Sequence, residues 1–263
     1  MIRVGIGGWT FEPWRGLFYP EKLAQSKELF HASRQVTSIE VNGTFYSTFK
    51  PPTFRKWADE TPDDFIFSLK APRFAVNRRV LSEAGPSMAK FFESGVSELK
   101  SKLGPILWQF AHTKKYDAAD LAGFLALLPR DYDGVKLRHV LEVRHQTFLY
   151  AEFVTQARAA NVAVVLADSV KYPLLADVTS DFVYLRLQDT QAEIETGYSV
   201  EALARWTKLA KAWEKGNEPK ELPRLGAEAA PKKPRDVFVY FIAGAKERNP
   251  AAAQAMIKLL SNG

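Results

Sequence analysis

The chain has 263 residues, of which 46% are hydrophobic and 25% charged, and it has a formal net charge of +6 and no cysteine. This composition is that of a globular protein, and it excludes a wholly disordered, collagen-like or coiled-coil chain as well as disulfides and thiolate metal sites. Because the sequence shows no apolar leader at its start and no run long enough to span a membrane, we expect a cytoplasmic protein that does not contact membranes.

Eight short runs of apolar and β-branched residues predict strands. In chain order they are Ile2–Gly7, Val36–Val41, Phe65–Leu69, Ile106–Phe110, His139–Val143, Val162–Ala167, Phe182–Leu187 and Val237–Phe241. Runs that are apolar almost throughout, such as Val162–Ala167, are typical of parallel strands that are covered on both faces.

Six amphipathic stretches between or after these runs predict helices. They are Pro51–Glu60, Ser82–Ser101, Asp117–Leu128, Phe148–Ala160, Ser199–Glu214 and Asn249–Leu260. The alternation of strands and helices predicts an α/β fold, a TIM-like (β/α)8 barrel that forms a single domain over residues 1–263. A doubly wound open sheet is the alternative, and it is disfavoured because Gly5–Gly8 lacks the third spaced glycine of a dinucleotide fingerprint.

The positive charge is concentrated in one segment. Nine basic residues and four acidic residues lie between Arg205 and Arg235, so this segment carries five of the six excess charges. Within it, residues 216–235 are rich in proline, lysine, glutamate and alanine and show no periodicity, which predicts a long, flexible, basic insertion between strands seven and eight. The segment is either a solvated surface or an arm that contacts nucleic acid.

The C-terminal ends of barrel strands form the active-site face of TIM-like barrels. The side chains predicted at or just after those ends are Trp9, Glu40, Asn42, Tyr46, Lys70, Arg73, Gln109, Glu142, Arg144, His145, Asp168 and Arg186. Most are polar, and buried charges are costly unless they are paired. Two interpretations therefore stay open: an ion-pair network that closes the barrel, and a pocket for an anionic or hydroxyl-rich ligand.

Three of these residues are candidate catalytic groups. His145 titrates near neutral pH, Glu142 is its candidate partner or a base in its own right, and Asp168 ends an apolar strand. The alternatives are a hydrogen-bonded bystander for His145 and a turn cap for Asp168. Glu40, Glu142, His145 and Asp168 also have the ligand types for a divalent metal, but the neighbouring cations disfavour one, so we predict no cofactor and no metal site.

The remaining residues are candidate substrate-binding groups. Lys70, Arg73, Arg144 and Arg186 suit a phosphate or carboxylate, Glu40 and Asn42 suit hydroxyl groups, and Gln109 is a further polar candidate. Trp9 and Tyr46 belong to a group of aromatic residues after the first two strands. That group either packs over the barrel or stacks on a sugar ring or base.

At these positions the chain resembles the domain of unknown function 72 (YecE-like) family. The matching stretches run in family order over nearly the whole chain: Gly7–Phe11, Trp14–Gly16, Phe18–Pro20, Glu40–Asn42, Thr44–Tyr46, Phe67, Lys70–Arg73, Gln109, Glu142–His145, Tyr184 and Arg186. The resemblance implies a TIM-like barrel and supplies no reaction. The chain departs from the family pattern at Asn77, at Ala111 and at Ile242-Ala243, all near the expected site.

Three functions follow from the sequence as hypotheses. The first is an enzyme, a hydrolase, lyase or isomerase, that acts by acid/base chemistry on a small phosphorylated or carboxylated, sugar-like substrate. The second is a nucleic-acid-binding or nucleic-acid-processing protein that uses residues 205–235 electrostatically and the aromatic residues after the first two strands for stacking. The third is a non-catalytic barrel that senses a ligand or binds a partner.

Overall fold

The barrel consists of eight strands. A computed structural model describes residues 1–226 and 228–262. The strands are β1 (Ile2–Gly7), β2 (Ser38–Val41), β3 (Ile66–Lys70), β4 (Leu103–Gln109), β5 (His139–Glu142), β6 (Ala163–Asp168), β7 (Phe182–Leu187) and β8 (Asp236–Phe241). All neighbouring pairs are parallel, and β8 closes the barrel against β1. The predicted TIM-like barrel and its eight strands are therefore confirmed.

Helices alternate with the strands over most of the chain. They are α1 (Glu28–Ala32), α2 (Gly43–Tyr46), α3 (Pro51–Glu60), α4 (Arg73–Val76), α5 (Gly85–Phe92), α6 (Ala118–Ala126), α7 (Ala151–Ala159), α8 (Val200–Glu214) and α9 (Asn249–Ser261). The residues between β6 and β7, all of them described, contain no helix. None of the helices in residues 1–226 and 228–262 has the length and apolar character needed to cross a membrane.

The predicted helix Ser82–Ser101 is wrong in its extent. The helix α5 ends at Phe92, and a separate 3-10 helix, Val96–Lys102, follows it. Gly95 lies between them with φ 101, and a Cβ atom at this position would come within 2.6 Å of Pro51 Cα at the start of α3. The close approach of α3 thus requires a glycine, and its left-handed backbone ends the helix.

Two apolar cores lie on the two sides of the strands. One core lies between strands and helices, and it takes Val164 and Leu166 from β6. The other takes Ala163, Val165 and Ala167 from the same strand and contains strand residues and Ile242 but no helix residue, so it fills the inside of the barrel. Successive side chains of a strand point to opposite faces, so the position of a residue in this alternation decides whether it reaches the inside.

The predicted insertion, residues 216–235, connects α8 to the start of β8. Ala227 within it lies outside the described residues. The neighbouring residues are hydrogen-bonded to the rest of the chain: Asp177 accepts from the backbone N–H groups of Leu225 and Gly226, each at 2.8 Å, and Glu218 accepts from Val178 N–H at 3.3 Å. The segment thus runs beside the stretch that joins β6 to β7, at the N-terminal end of the barrel.

Candidate functional site

Charged side chains meet inside the barrel at the C-terminal ends of the strands. We call this group the mouth cluster; it consists of Glu40, Lys70, Gln109, Glu142, Arg144 and Arg186. Each lies on the inward-facing alternation of its strand or directly after it, as Tyr184 and Tyr240 do one layer below. Glu40, Glu142 and Arg186 are almost completely inaccessible, with exposed fractions of 0%, 1% and 3%. The alternation brings together side chains from five strands that lie far apart in the sequence.

Arg186 links the two buried carboxylates. Its Nε and Nη2 atoms donate to Glu40 Oε2 and Oε1, each at 3.1 Å, and its Nη1 atom donates to Glu142 Oε2 at 2.6 Å. A guanidinium held in this forked way is charge-assisted and fixed in orientation. Burial alone would lower the pKa of Arg186, but Glu142 and Glu40 raise it above the ordinary arginine value, so the side chain stays charged.

Glu142 is surrounded by donors on both oxygens. Gln109 Nε2 donates to Oε2 beside Arg186, whereas Arg144 donates to Oε1 from Nε at 3.2 Å and from Nη2 at 3.1 Å. Burial would raise the pKa of Glu142, but Arg186 and Arg144 hold it below the ordinary glutamate value. Glu142 is therefore a carboxylate at neutral pH.

Lys70 belongs to the cluster but is bonded differently. Its side chain is buried, with 6% exposed, and its Nζ atom lies 4.2 Å from the ring centre of Phe45. Within residues 1–226 and 228–262, Nζ makes no hydrogen bond. Burial and the nearby Arg186 guanidinium lower the pKa of the Lys70 amine to about 8, against the opposing effect of Glu40 and Glu142.

A layer of hydroxyl groups supports the cluster from below. Tyr184 OH donates to Glu40 Oε2 at 2.8 Å and shares a hydrogen bond of 2.8 Å with Ser68 Oγ. Tyr240 OH shares one of 2.6 Å with Ser38 Oγ. Tyr184 was not among the candidate site residues, although its place two residues before Arg186 on the same strand was a signal that it also points inward.

Aromatic rings flank the cationic groups at the surface of the mouth. Tyr172, from the stretch between β6 and β7, lies against the Arg144 guanidinium with 4.2 Å from Cζ to the ring centre. Phe45, at the other side, belongs to α2 and contacts Lys70. Tyr172 was missed in the sequence because it lies outside the predicted strands and helices.

Three predicted binding residues lie at the rim. Asn42 Nδ2 donates to the backbone oxygen of Glu40 at 3.4 Å, and it lies next to Gly7. Tyr46 is 67% exposed and stacks edge-on against Phe45. Arg73 is exposed on α4. These residues border the mouth cluster without joining its hydrogen bonds within the described chain.

Two of the three predicted catalytic residues lie apart from the cluster. His145 Nδ1 accepts from Thr147 N–H at 3.2 Å and so caps the short 3-10 helix Gln146–Phe148. Asp168 accepts from Tyr198 OH at 2.9 Å, and it follows Leu166 in the outward alternation of β6. Burial raises the pKa of Asp168, and the contact with Tyr198 opposes this effect. The structure therefore brings only Glu142, among these three, to the mouth cluster of the described chain.

The aromatic residues after β1 pack into the outer core. The Trp9 ring lies 5.1 Å from Trp57 of α3 and 6.4 Å from Phe67, on the helix side of the strands. Trp14 and Tyr19 are fully buried, and Tyr19 OH donates to the backbone oxygen of Trp9. Trp9 is thus packed outside the barrel interior.

The positions that depart from the family pattern lie around the same mouth. Ile242 is buried and joins the inner core above Tyr240, where it adds an apolar wall beside Gly7. Ala243 has φ 64, a conformation that favours glycine or asparagine over alanine. Asn77 and Ala111 lie near the ends of α4 and β4, the first exposed and the second half-buried.

A groove of about 1340 Å³ opens at the opposite, N-terminal end of the barrel. It is lined by the first residues of three strands, Leu103, His139 and Phe182. The basic insertion also lies at this end, whereas the aromatic residues after β1 and β2 lie at the other. The geometry therefore separates the two features that the nucleic-acid hypothesis combines, and it places the buried charges away from this groove.

The described residues offer no group of three or more histidine, aspartate or glutamate side chains that is arranged to hold a metal ion. In the mouth cluster the two carboxylates instead face three cations. The donor set of the cluster suits an anion.

A family model matches almost the whole chain, whereas individual curated proteins match only parts of it. A family model described as "Protein of unknown function DUF72" matches residues 3–263. UPF0759 protein YecE of Escherichia coli (strain K12) is 27% identical over 141 residues, which are 53% of this chain and 49% of that protein. UPF0759 protein YunF of Bacillus subtilis (strain 168) is 34% identical over 71 residues, 27% of this chain and 24% of that protein.

The chain therefore spans about half the length, or less, of the curated relatives that it matches. A crystal structure of a DUF72 family protein from Thermotoga maritima MSB8 superposes with a TM-score of 0.75 at 22% identity, and the match covers 99% of both chains. At this level of identity the superposition establishes a shared fold.

Proposed function

The chain belongs to the DUF72 family of proteins of unknown function, and we propose that it is an enzyme that binds a small anionic substrate at the mouth cluster. The substrate class is a phosphorylated or carboxylated, sugar-like molecule, and the reaction is acid/base chemistry. The observation that carries the proposal is the charge balance of the cluster.

Three cationic side chains of the cluster face two carboxylates. With Lys70 protonated, the charges of Lys70, Arg144 and Arg186 exceed those of Glu40 and Glu142 by one. A buried excess charge is costly, so a bound anion would stabilise this arrangement.

Two cations keep donors for such an anion. Arg186 is occupied by its two carboxylates, but Arg144 uses only Nε and Nη2, and its Nη1 atom has no hydrogen bond within the described chain. The Arg144 side chain is 19% exposed, so this donor lies where a solute can reach it. Lys70 Nζ is the second donor.

Lys70 is also the group best suited to transfer a proton. A pKa of about 8 lets the amine exist in both protonation states near neutral pH, which acid/base catalysis requires. Glu142 has a lowered pKa and stays ionised, and His145 caps a turn. In this proposal Lys70 takes the role that the sequence suggested for Glu142 or His145.

The test is thermal and calorimetric binding of inorganic phosphate, acetate, a sugar monophosphate and a short oligonucleotide. We expect a small anion at about 100 times its Kd to stabilise the protein by about 2.7 kcal/mol. Because each lost charge-assisted hydrogen bond contributes about 1.5–3 kcal/mol, Lys70→Met and Arg144→Gln should each weaken binding by roughly 10- to 100-fold.

Lys208→Met, which removes a lysine from the outer surface of α8, is the matched control and should bind like the wild type. Binding that survives both mouth variants would overturn the proposed site. A sugar monophosphate that binds at the mouth but is recovered unchanged after long incubation would overturn the enzyme and leave a ligand-binding barrel. Stabilisation by the oligonucleotide alone would favour nucleic-acid binding instead.

A further inference from the structure

Lys70 is a buried cation whose Nζ atom makes no hydrogen bond within the described chain. Arg186 and Arg144 donate to carboxylates, and Lys102, which is 9% exposed, donates to the backbone oxygens of Ala58 and Thr61 at 2.5 and 2.8 Å. The Lys70 side chain is also buried, with 6% exposed, but its Nζ atom has no hydrogen bond in the described chain and lies 4.2 Å from the centre of the Phe45 ring. Its lone pair, once the amine is neutral, is therefore free.

We propose that Lys70 is a nucleophile that forms an imine with an aldehyde or ketone carrying an anionic group. This inference rests on the proposed function, because it names the substrate class for the same site. It makes the substrate a carbonyl compound with a carboxylate or phosphate nearby, such as a 2-oxo acid or the open-chain form of a phosphorylated sugar.

The step balances without a further reactant. The neutral amine forms a bond from Nζ to the carbonyl carbon, and the electron pair of the C=O bond moves to oxygen. The nitrogen then gives up its two protons to the former carbonyl oxygen. That oxygen leaves as water when the C–O bond breaks, and a C=N bond remains. Protonation of this imine gives a cation, which the carboxylates of Glu40 and Glu142 stabilise.

The surroundings supply the remaining requirements. Arg186 and Arg144 are the cations that face Lys70, and Glu40 and Glu142 are the carboxylates; burial and Arg186 dominate and lower the pKa of the amine to about 8. At pH 7.5 about a quarter of such amines are neutral, against about 0.1% for a lysine with the ordinary pKa near 10.4. The free Nη1 atom of Arg144 is the donor for the anionic group of the substrate.

The test is reductive trapping on the whole protein. Glyoxylate, pyruvate and the uncharged propionaldehyde are each incubated with the protein and cyanoborohydride at pH 7.5, and the modified lysines are identified by peptide mass spectrometry. We expect the two anionic probes to label Lys70 at least about tenfold faster than any other lysine. Propionaldehyde should label it more slowly than glyoxylate.

Two other lysines serve as internal controls. Lys102 is as buried as Lys70 but hydrogen-bonded, so it should stay unlabelled, and the exposed Lys208 reports the background rate. Lys70→Arg keeps the positive charge but cannot form an imine, so it should abolish the fast labelling.

The outcomes separate the two proposals. Anion binding at the mouth without fast labelling of Lys70 overturns the imine and leaves the proposed function in place. Loss of both anion binding and fast labelling overturns both the imine and the proposed function. Labelling of Lys70 at the rate of Lys208, or equally fast labelling by propionaldehyde and glyoxylate, also overturns the inference, and the wild-type measurement needs no variant to fold.

Discussion

Arg186→Met leaves two buried carboxylates without the guanidinium that they share. Glu40 and Glu142 are 0% and 1% exposed, and Arg186 donates three hydrogen bonds to them. Removing one partner of a buried ion pair costs about 3–5 kcal/mol, because the remaining charge stays buried and unpaired. Glu142 keeps Arg144 and Gln109, so Glu40 bears the larger part of this cost.

The cost should depend on pH. In the wild type the pKa of Glu142 is lowered, so its contribution to stability is present above about pH 4.3 and is lost as the pH falls through the folded pKa. In the variant, Glu142 loses the guanidinium that lowers its pKa most, while Arg144, Gln109 and Lys70 still lower it, so its folded pKa lies above that of the wild type. Above this pKa the variant lacks part of the stabilisation of the carboxylate, so the deficit relative to wild type grows as the pH rises and is not smaller at pH 8 than at pH 5.

Urea unfolding at pH 5 and pH 8 measures the loss of stability in the variant and the pH dependence of this loss. Unchanged m-values show that the unfolding transition is intact. Arg138→Met is the matched control: Arg138 pairs with Asp236 at 2.8 Å, but both side chains are partly exposed, so the loss should be about 0–1 kcal/mol. In the double variant Arg186→Met with Glu40→Leu the loss should be smaller than the sum of the single losses. A loss below about 1 kcal/mol at pH 8 for Arg186→Met, or one that grows toward pH 5, refutes the reasoning.

Two further predictions concern single residues outside the cluster. Ala243 has φ 64, so Ala243→Gly should raise the free energy of unfolding by about 0.5–1 kcal/mol. Ala245 has φ −76, so Ala245→Gly should lower it. Equal effects of the two substitutions in urea titrations would show that the backbone of Ala243 is not strained. Burial lowers the pKa of His139 to about 4, so its NMR titration should have no midpoint near 6.5, and stability should fall by about 3 kcal/mol as the pH drops from about 6.5 to 4. A midpoint near 6.5 would show that burial and the Trp108 N–H group, which donates to Nδ1, do not hold the ring neutral.

The strands could be predicted because their apolar runs are long and separated by helical or turn-forming segments. The start of β4 was harder to predict: the strand begins at Leu103, three residues before the predicted start. Gly104 and Pro105 are poor strand formers, but Gly104 is required because a Cβ would lie 2.4 Å from Ile66 Cγ2. The register shift between Phe67 and Leu69 accommodates this part of the strand.

The positions of the site residues could be predicted more readily than their orientation. Val140 and Glu142 of β5, and Arg144 just after it, point to the inside of the barrel, so the next residue, His145, points to the other face. In β6 every residue before Asp168 is apolar, and such a strand gives no signal for which face is inside. Asp168 therefore looked equivalent to Glu142 in the sequence, although its carboxylate contacts Tyr198 on the helix side.

Lys70 and Lys102 show why the chemistry of a buried lysine depends on the fold. Both precede or end a strand and both are less than 10% exposed, so burial alone does not distinguish them. Lys102 lies where α3 ends, and the backbone oxygens that the helix leaves free satisfy its ammonium group. Lys70 lies beside Arg186 of β7 and Arg144, which follows β5, and its Nζ atom contacts an aromatic ring and makes no hydrogen bond within the described chain. The same side chain is thus a structural cation in one place and, as we propose, a reactive amine in the other, because residues distant in sequence decide which charges it meets.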